Sequence, residues 1–257
     1  MSQWSPTIAK SYGQTGEQSH IAILHDLLLP LMQPLEGRTL LDFGCGEGLL
    51  GQRLASHGPP GAGVRRLLAI DQSGDLLKVA RRNAEAAGGD FITQCEFQCG
   101  DETVLPTPER FDYVLCSLAL MMCEDRRRLD RAIAGLIGSC QPDGRVLLTL
   151  THPCFRHAVH ATFYNDMPDD FEYWQSGRPY RVNLDPDTRQ VTTSFHDYHW
   201  TLADYAAAIH AGGGAIEQML EAPGQYDTSG RPIGEPAYLI LCVKHESRGN
   251  ERMTTIQ

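Results

Sequence analysis

The stretch Leu40-Leu-Asp-Phe-Gly-Cys-Gly-Glu-Gly48 decides how this chain is read. Thr39 to Phe43 is a compact apolar run closed by glycines, and it reads as a buried strand. Leu49 to Ser56 suits a helix. Between them, Gly44-x-Gly46-x-Gly48 lets the backbone bend sharply and approach a ligand closely. A ligand held there sits near a helix N-terminus, at the carboxyl ends of the strands. The dinucleotide fingerprint G-x-G-x-x-G requires glycine at 49, and that residue is Leu49. A nicotinamide dinucleotide is disfavoured on that ground.

Outward from this turn, short apolar runs alternate with helix-length segments. Ile21, Leu24, Leu27, Leu28 and Leu31 predict an amphipathic helix over about 17–32, ended near Pro34. His57 to Gly63 reads as a loop. Further strands are predicted at Leu67 to Ile70, ending at Asp71, then at Cys95 to Cys99, Phe111 to Ser117 and Val146 to Leu150. Helices are predicted over Asp75 to Ala87 and Arg127 to Cys140, and Pro142 to Arg145 reads as a turn. Alternation of this kind implies a parallel sheet with helices on both faces, joined by right-handed crossovers. Residues 151–200 lack a clean period. Regularity returns with a helix at Thr201 to Ala211, which Thr201 is placed to cap. Two strands come next, Ala215 to Leu220 and Tyr238 to Val243, around a Gly/Pro-rich loop at Pro223 to Pro236. The tail from Glu246 is polar and expected to fray.

Composition narrows the function classes. The 257 residues carry 22 Lys and Arg against 32 Asp and Glu, a formal net charge of −10, which argues against a nucleic-acid partner. The 42% hydrophobic and 21% charged fractions are those of a globular chain rather than a disordered one. Eight cysteines show no C-x-x-C pair or zinc spacing, so reduced thiols are expected. The N-terminus is polar and no apolar run is long enough for a membrane helix, so a soluble, cytoplasmic protein without a membrane partner is expected. A homodimer remains open.

Four further elements stand at strand ends. Asp71 comes directly after the second strand, where an acidic side chain can accept from both hydroxyls of a ribose. Gly100-Asp101-Glu102 stands after the third strand. Asp112 opens the fourth strand, which ends at Ser117, and Gln141-Pro-Asp-Gly-Arg145 precedes the fifth.

In this order the five elements resemble the class I S-adenosylmethionine-dependent methyltransferases. The resemblance is close over roughly 37–150 and looser over the final strand pair. It implies an α/β, Rossmann-like sheet of seven mostly parallel strands in the order 3-2-1-4-5-7-6. Helices would cover both faces, and a cap would be inserted after strand five. It also implies a single methyltransferase domain over 1–257, with an N-terminal helical lid at 1–36 and a substrate cap at 151–200. The cofactor would be S-adenosyl-L-methionine. Asp42, Gly44, Cys45 and Gly46 would cradle its methionine part, Asp71 its ribose with Gln72 beside the adenine, and Asp101 the adenine edge with Glu102 adjacent. Ser117 would lie near the sulfonium. Tyr12, with Trp4 and Glu17 nearby, would close over the cofactor.

The segments after strand four and strand five bear on the acceptor. The Asn/Asp-Pro-Pro-aromatic motif of adenine and amide methylation is missing, because that place reads Cys116-Ser-Leu-Ala119. The Pro-Cys nucleophile of cytosine-C5 enzymes is missing there too. Pro153-Cys154 lies after strand five, and Cys154 is expected to be a packed thiol. Residues 151–200 hold half of the 20 aromatic residues and half of the 10 His, more than twice an even share. Aromatic walls with a few polar handles describe a small-molecule pocket. An inserted cap also needs a small core, and aromatics supply one. Phe155, Tyr164, Trp174 and Trp200 are the expected substrate contacts.

The expected reaction is methyl transfer to an O, N or C atom of a small aromatic or heteroaromatic molecule, as in secondary metabolism. The alternatives are a nucleic-acid or protein methyltransferase, and a methyltransferase-like protein using the cofactor for other chemistry. A hydroxyl nucleophile needs a base, and His serves near neutral pH. His152, directly after strand five, is the first candidate, with His196 and His199 next. His157-x-x-His160 and His196-x-x-His199 are each half a metal-ligand pair, and no resident metal is expected.

Overall fold

The computed structural model describes residues 20–57, 63–87, 91–105, 110–158, 160, 163–184 and 194–246. Tyr12, Trp4 and Glu17 lie outside them. Seven strands form the main sheet: β1 (Thr39–Phe43), β2 (Arg66–Asp71), β3 (Cys95–Cys99), β4 (Phe111–Ser117), β5 (Cys140–Thr151), β9 (Gly214–Tyr226) and β10 (Pro232–His245). The cap supplies β6 (Phe163–Asp166), β7 (Arg178–Leu184) and β8 (Ser194–His199).

Main-sheet order is β3-β2-β1-β4-β5-β10-β9. Counted without the cap strands, this is the expected 3-2-1-4-5-7-6. β1 to β5 run parallel, and β10 pairs antiparallel with both β5 and β9. The helices are α1 (His20–Leu28), continued by one 3-10 turn at Leu29–Met32, α2 (Leu49–Ala55), α3 (Gly74–Ala86), a short α4 (Phe91–Gln94), α5 (Arg126–Gly138) and α6 (Leu202–Ala211).

The sheet buries both faces, and the period of two along each strand divides its side chains between two cores. Leu40, Tyr113, Leu115, Leu147, Tyr238 and Ile240 join Leu24 and Leu28 of α1 and Leu50 and Leu54 of α2. Leu41, Val114, Cys116, Leu148, Leu239 and Leu241 join Leu129, Ile133 and Leu136 of α5 and Tyr205 and Ile209 of α6. Helix starts are capped where the chain must turn off a strand end. Ser73 Oγ accepts from Leu76 N, Asp125 from Arg128 N, and Thr201 forms a reciprocal capping box with Asp204.

Four expectations need correction. β5 begins at Cys140, and Pro142 to Arg145 bulge within it, since the register with β4 moves from Phe111↔Cys140 to Tyr113↔Arg145. The loop expected at 223–236 is mostly the far end of a hairpin, paired as far as Tyr226↔Pro232. The aperiodic stretch 151–200 holds an antiparallel sheet in the order β6-β7-β8. Its pattern was hidden because its inward face mixes polar with apolar side chains: Phe195, Asp197 and His199 are buried, whereas His196 is exposed. Cys154 is exposed rather than packed. Among the described residues, no helix is long and apolar enough to cross a membrane.

Candidate active site

The carboxyl ends of the parallel strands open into a cleft. The turn after β1 forms one wall. Gly44 N and Cys45 N both donate to Ile70 O, at 2.8 and 3.0 Å, which ties the turn to the end of β2. Gly44 has φ +71°, and a Cβ there would come 2.4 Å from Ala119 Cβ. The turn therefore abuts the segment after β4, and only glycine permits that approach. Across the gap, Leu118 holds a left-handed φ of 55°, at the point where β4 leaves the sheet. Backbone held there by a non-glycine residue is strained, a common property of ligand-binding loops.

Asp71 closes the second wall. Its Oδ2 accepts from Gly46 N at 2.8 Å and its Oδ1 from Ser73 N at 2.8 Å. Burial raises its pKa, and the two backbone donors pull it back down. Asp42 lies deeper. Burial, reinforced by the Asp71 charge, pushes its carboxyl up to about 7. Its Oδ2 sits beneath α2, 2.1 Å from where a Cβ on Gly51 would be. Asp42 lies on β1 two residues before Gly44, packed against α2 at Gly51.

Asp101 and Glu102, adjacent in sequence, have different partners. Glu102 is buried and accepts from Arg128 Nε and Nη2 at 3.1 and 3.0 Å, with Arg131 Nη1 at 3.5 Å. Asp101 Oδ1 accepts from Thr103 N and Oγ1, and these bonds hold its pKa low. It stays ionised at the rim of the cleft.

Seven of the ten expected cofactor residues line this cleft: Gly44, Gly46, Asp71, Gln72, Asp101, Glu102 and Ser117. Asp42 and Cys45 do not, and Tyr12 lies outside the described residues. The reading from sequence missed Leu118, Ala119, Met122, Cys123 and Arg128, which also line it. Their side chains are ordinary helix and core types. The one available signal was the Arg126-Arg-Arg128 run opening α5.

The expected base and substrate residues are not among the lining. His152 Nδ1 accepts from Cys154 N at 3.2 Å, so Nε2 carries the proton and donates to Glu221 Oε1 at 2.9 Å. Burial holds its pKa below the ordinary value. His199 Nε2 donates to Tyr173 O at 2.7 Å, and its Nδ1 accepts from Arg156 Nε at 3.0 Å. His196 points away on the exposed face of β8. Phe155 packs beside His152, with ring centroids 4.7 Å apart. Tyr164 is half-buried on β6, and Trp174 stands 80% exposed against Tyr173. Trp200 is buried, and its Nε1 donates to the carbonyl of Cys123, a residue that does line the cleft.

Comparison with known proteins bears on the fold and on its central domain. Residues 40–144 match the family model described as a methyltransferase domain. The chain is 32% identical over 128 residues to a ubiquinone biosynthesis O-methyltransferase of Coxiella burnetii, covering 49% of each protein. It therefore spans about half the length of the curated relatives that it matches in this way. It is 24% identical over 234 residues, 86% of each chain, to N-demethylindolmycin N-methyltransferase of Streptomyces griseus. Its fold is shared with an S-adenosylmethionine-dependent methyltransferase from Clostridium acetobutylicum, at TM-score 0.61 and 14% identity over 93% of this chain and 96% of that one. Residues 40–144 thus form a core similar to a methyltransferase domain, and the strand order and the solved structure give the whole chain the fold of S-adenosylmethionine-dependent methyltransferases.

The cleft fits the cofactor of that class. It offers a glycine-lined wall, an acidic residue at the end of β2 and an ionised carboxylate after β3.

Proposed function

We propose that this chain is an enzyme that binds S-adenosyl-L-methionine in the cleft and transfers its methyl group to an O, N or C atom of a small, aromatic or heteroaromatic acceptor. The observation that carries the reading is the convergence of Gly44, Gly46, Asp71, Gln72, Asp101, Glu102 and Ser117 on one cleft. The small-molecule acceptor is supported by the net charge of −10 and by the two curated relatives, one named for an O-methylation and one for an N-methylation.

When bound, the cofactor supplies a methyl group already activated on a sulfonium. The task of the protein is to bind and orient. Asp71 holds the ribose while fixing the glycine turn. Asp101 faces the adenine, and Arg128 keeps the neighbouring Glu102 occupied. Leu118 to Cys123 form the wall on the acceptor side, and Trp200 braces that wall by holding the Cys123 carbonyl. His152 and His199 have both ring nitrogens hydrogen-bonded outside the cleft, so neither of them takes the proton.

The test is transfer of labelled methyl. The protein is incubated with methyl-labelled S-adenosylmethionine and a small-molecule extract, and in parallel with protein and RNA fractions. Label in the small-molecule fraction alone supports the reading. Label in protein or RNA, or cofactor bound without transfer to any fraction, overturns it.

A further inference from the structure

A second cavity opens at the amino ends of the parallel strands, the end of the sheet away from the cofactor cleft. It holds about 370 Å³. Its lining includes Arg38 just before β1, Asp112 and Tyr113 at the start of β4, Asp143 and Arg145 from the bulge in β5, and Lys244 on β10. Small-molecule sites span roughly 300–1,000 Å³ and are mostly apolar. This cavity has the volume of such a site, but its charged lining suits an ionic ligand.

The walls are fixed by the bulge. Gly144 lies so close to β4 that a Cβ there would come 2.5 Å from Asp112 O and 2.7 Å from Cys140 Sγ. A bulge re-aims the side chains around it, and here Asp143 and Arg145 both line the cavity. Tyr113 Oη donates to Pro34 O at 3.2 Å and Arg145 Nη1 to Leu31 O at 2.7 Å, so both tie the end of α1 to the sheet. Arg38 Nη1 donates to Asp112 Oδ1 at 2.9 Å, while Thr39 N and Oγ1 each donate to Asp112 Oδ2 at 2.8 Å. Both oxygens of Asp112 are therefore engaged.

Three cations and two carboxylates line this cavity, in a chain of net charge −10. The cations are unevenly met. Lys244 Nζ is paired with Glu217 of β9. Arg145 approaches that same carboxylate only to 3.7 Å, and its one close acceptor is the neutral Leu31 carbonyl. Among the described residues, Nη2 of Arg38 and Nη2 of Arg145 have no hydrogen-bond partner. The two arginines stand on either side of β4, since Leu40 of β1 and Arg145 of β5 both pair with Tyr113. Two strand spacings put their backbones on the order of 10 Å apart.

We propose that this cavity binds a phosphate dianion, free or as the monoester of a small metabolite, between the open Nη2 donors of Arg38 and Arg145. A planar guanidinium suits that ligand because its parallel N–H donors match two phosphate oxygens. The site lies outside the cofactor cleft and does not rest on the methyltransferase reading. Asp143, facing the same cavity, weakens the anion's hold by like charge.

The probes are inorganic phosphate and ribose 5-phosphate, each titrated by calorimetry into the unaltered protein at low ionic strength. One site is expected for at least one of them, with a dissociation constant of about a millimolar or tighter. Binding of inorganic phosphate marks a site for the free ion, and binding of ribose 5-phosphate alone marks a monoester site. Saturating S-adenosylhomocysteine should displace neither probe, and displacement would place the phosphate in the cofactor cleft and overturn the proposal. Arg145→Gln should weaken probe binding about tenfold or more, the loss of one charge-assisted hydrogen bond, and leave S-adenosylhomocysteine affinity within about twofold. Failure of both probes to bind the unaltered protein overturns the proposal, as does full affinity in Arg145→Gln. Should that variant fail to fold or lose both affinities, Asp143→Asn decides, because Asp143 is exposed and makes no contact that holds the fold. Probe binding about threefold or more tighter in Asp143→Asn supports the proposal, and unchanged or weaker binding overturns it.

Discussion

Asp71 Oδ2 accepts the backbone N–H of Gly46 at 2.8 Å, so the residue expected to bind ribose also holds the glycine turn in place. One carboxylate thereby links the end of β2 to the loop after β1. Removing it affects the ligand and the loop together. Asp71→Ala should destabilise the fold by about 1–3 kcal/mol, the cost of leaving buried donors unmet. It should also abolish cofactor binding. Asp71→Asn keeps one acceptor oxygen and should fall between. Thermal unfolding and calorimetry separate the two effects, and unchanged cofactor affinity in Asp71→Ala would remove the residue from the site.

Asp42 makes stability depend on pH. Its folded pKa of about 7 lies above the ordinary carboxylate value of 3.8, so the native state binds more protons than the unfolded chain between them. Its contribution therefore falls as pH rises from about 4 to about 7. His199, held at about 4 in the fold, contributes with the opposite sign over part of that range. Asp42→Asn isolates the first effect. Relative to the unaltered protein, the variant should gain stability as pH rises from about 5 to about 8. A constant difference in melting temperature across that range would refute the burial argument.

Gly51 is a position that the sequence did not single out. A Cβ there would sit 2.1 Å from Asp42 Oδ2 and 2.8 Å from Asp42 Cγ. Gly51→Ala should cost about 1–3 kcal/mol by overpacking and should weaken cofactor binding by shifting Asp42 and, along β1, the turn that follows it. In an ordinary helix the same change is stabilising. A rise in melting temperature would show that the contact is absent.

The parts of the fold legible in the sequence are those set by local signals. β1, β3 and β4 stand at their expected limits: β1 is a short apolar run closed by Gly44, β3 alternates apolar with polar residues up to Gly100, and β4 is a mostly buried run ending at Ser117. The cofactor wall was legible for the same reason, since its residues sit at strand ends in one order. The cap was not. Its sheet joins strands across long separations, and alternation on β8 places Asp197 and His199 inward, where a polarity pattern points outward. Three buried atoms, Arg156 Nη2, Asp197 Oδ1 and Tyr205 Oη, became visible only once the chain was folded.

His152 illustrates the difference between a strand-end position and a place in the site. It stands directly after β5 as expected, yet Cys154 N and Glu221 engage both ring nitrogens. His152→Ala should lose about 1–2 kcal/mol of stability and leave S-adenosylhomocysteine affinity unchanged. A tenfold loss of that affinity at an unchanged melting temperature would put His152 back into the cleft.

The proposed function depends on the cleft between the glycine turn, Asp71 and Asp101 holding the methyl donor. The decisive experiment is calorimetric titration of S-adenosylhomocysteine into the unaltered protein and into Asp101→Ala. One site is expected, with a dissociation constant on the order of micromolar. Asp101→Ala should weaken it about tenfold or more by loss of the bond to the adenine. No binding by the unaltered protein, or equal affinity in the two, would refute the assignment.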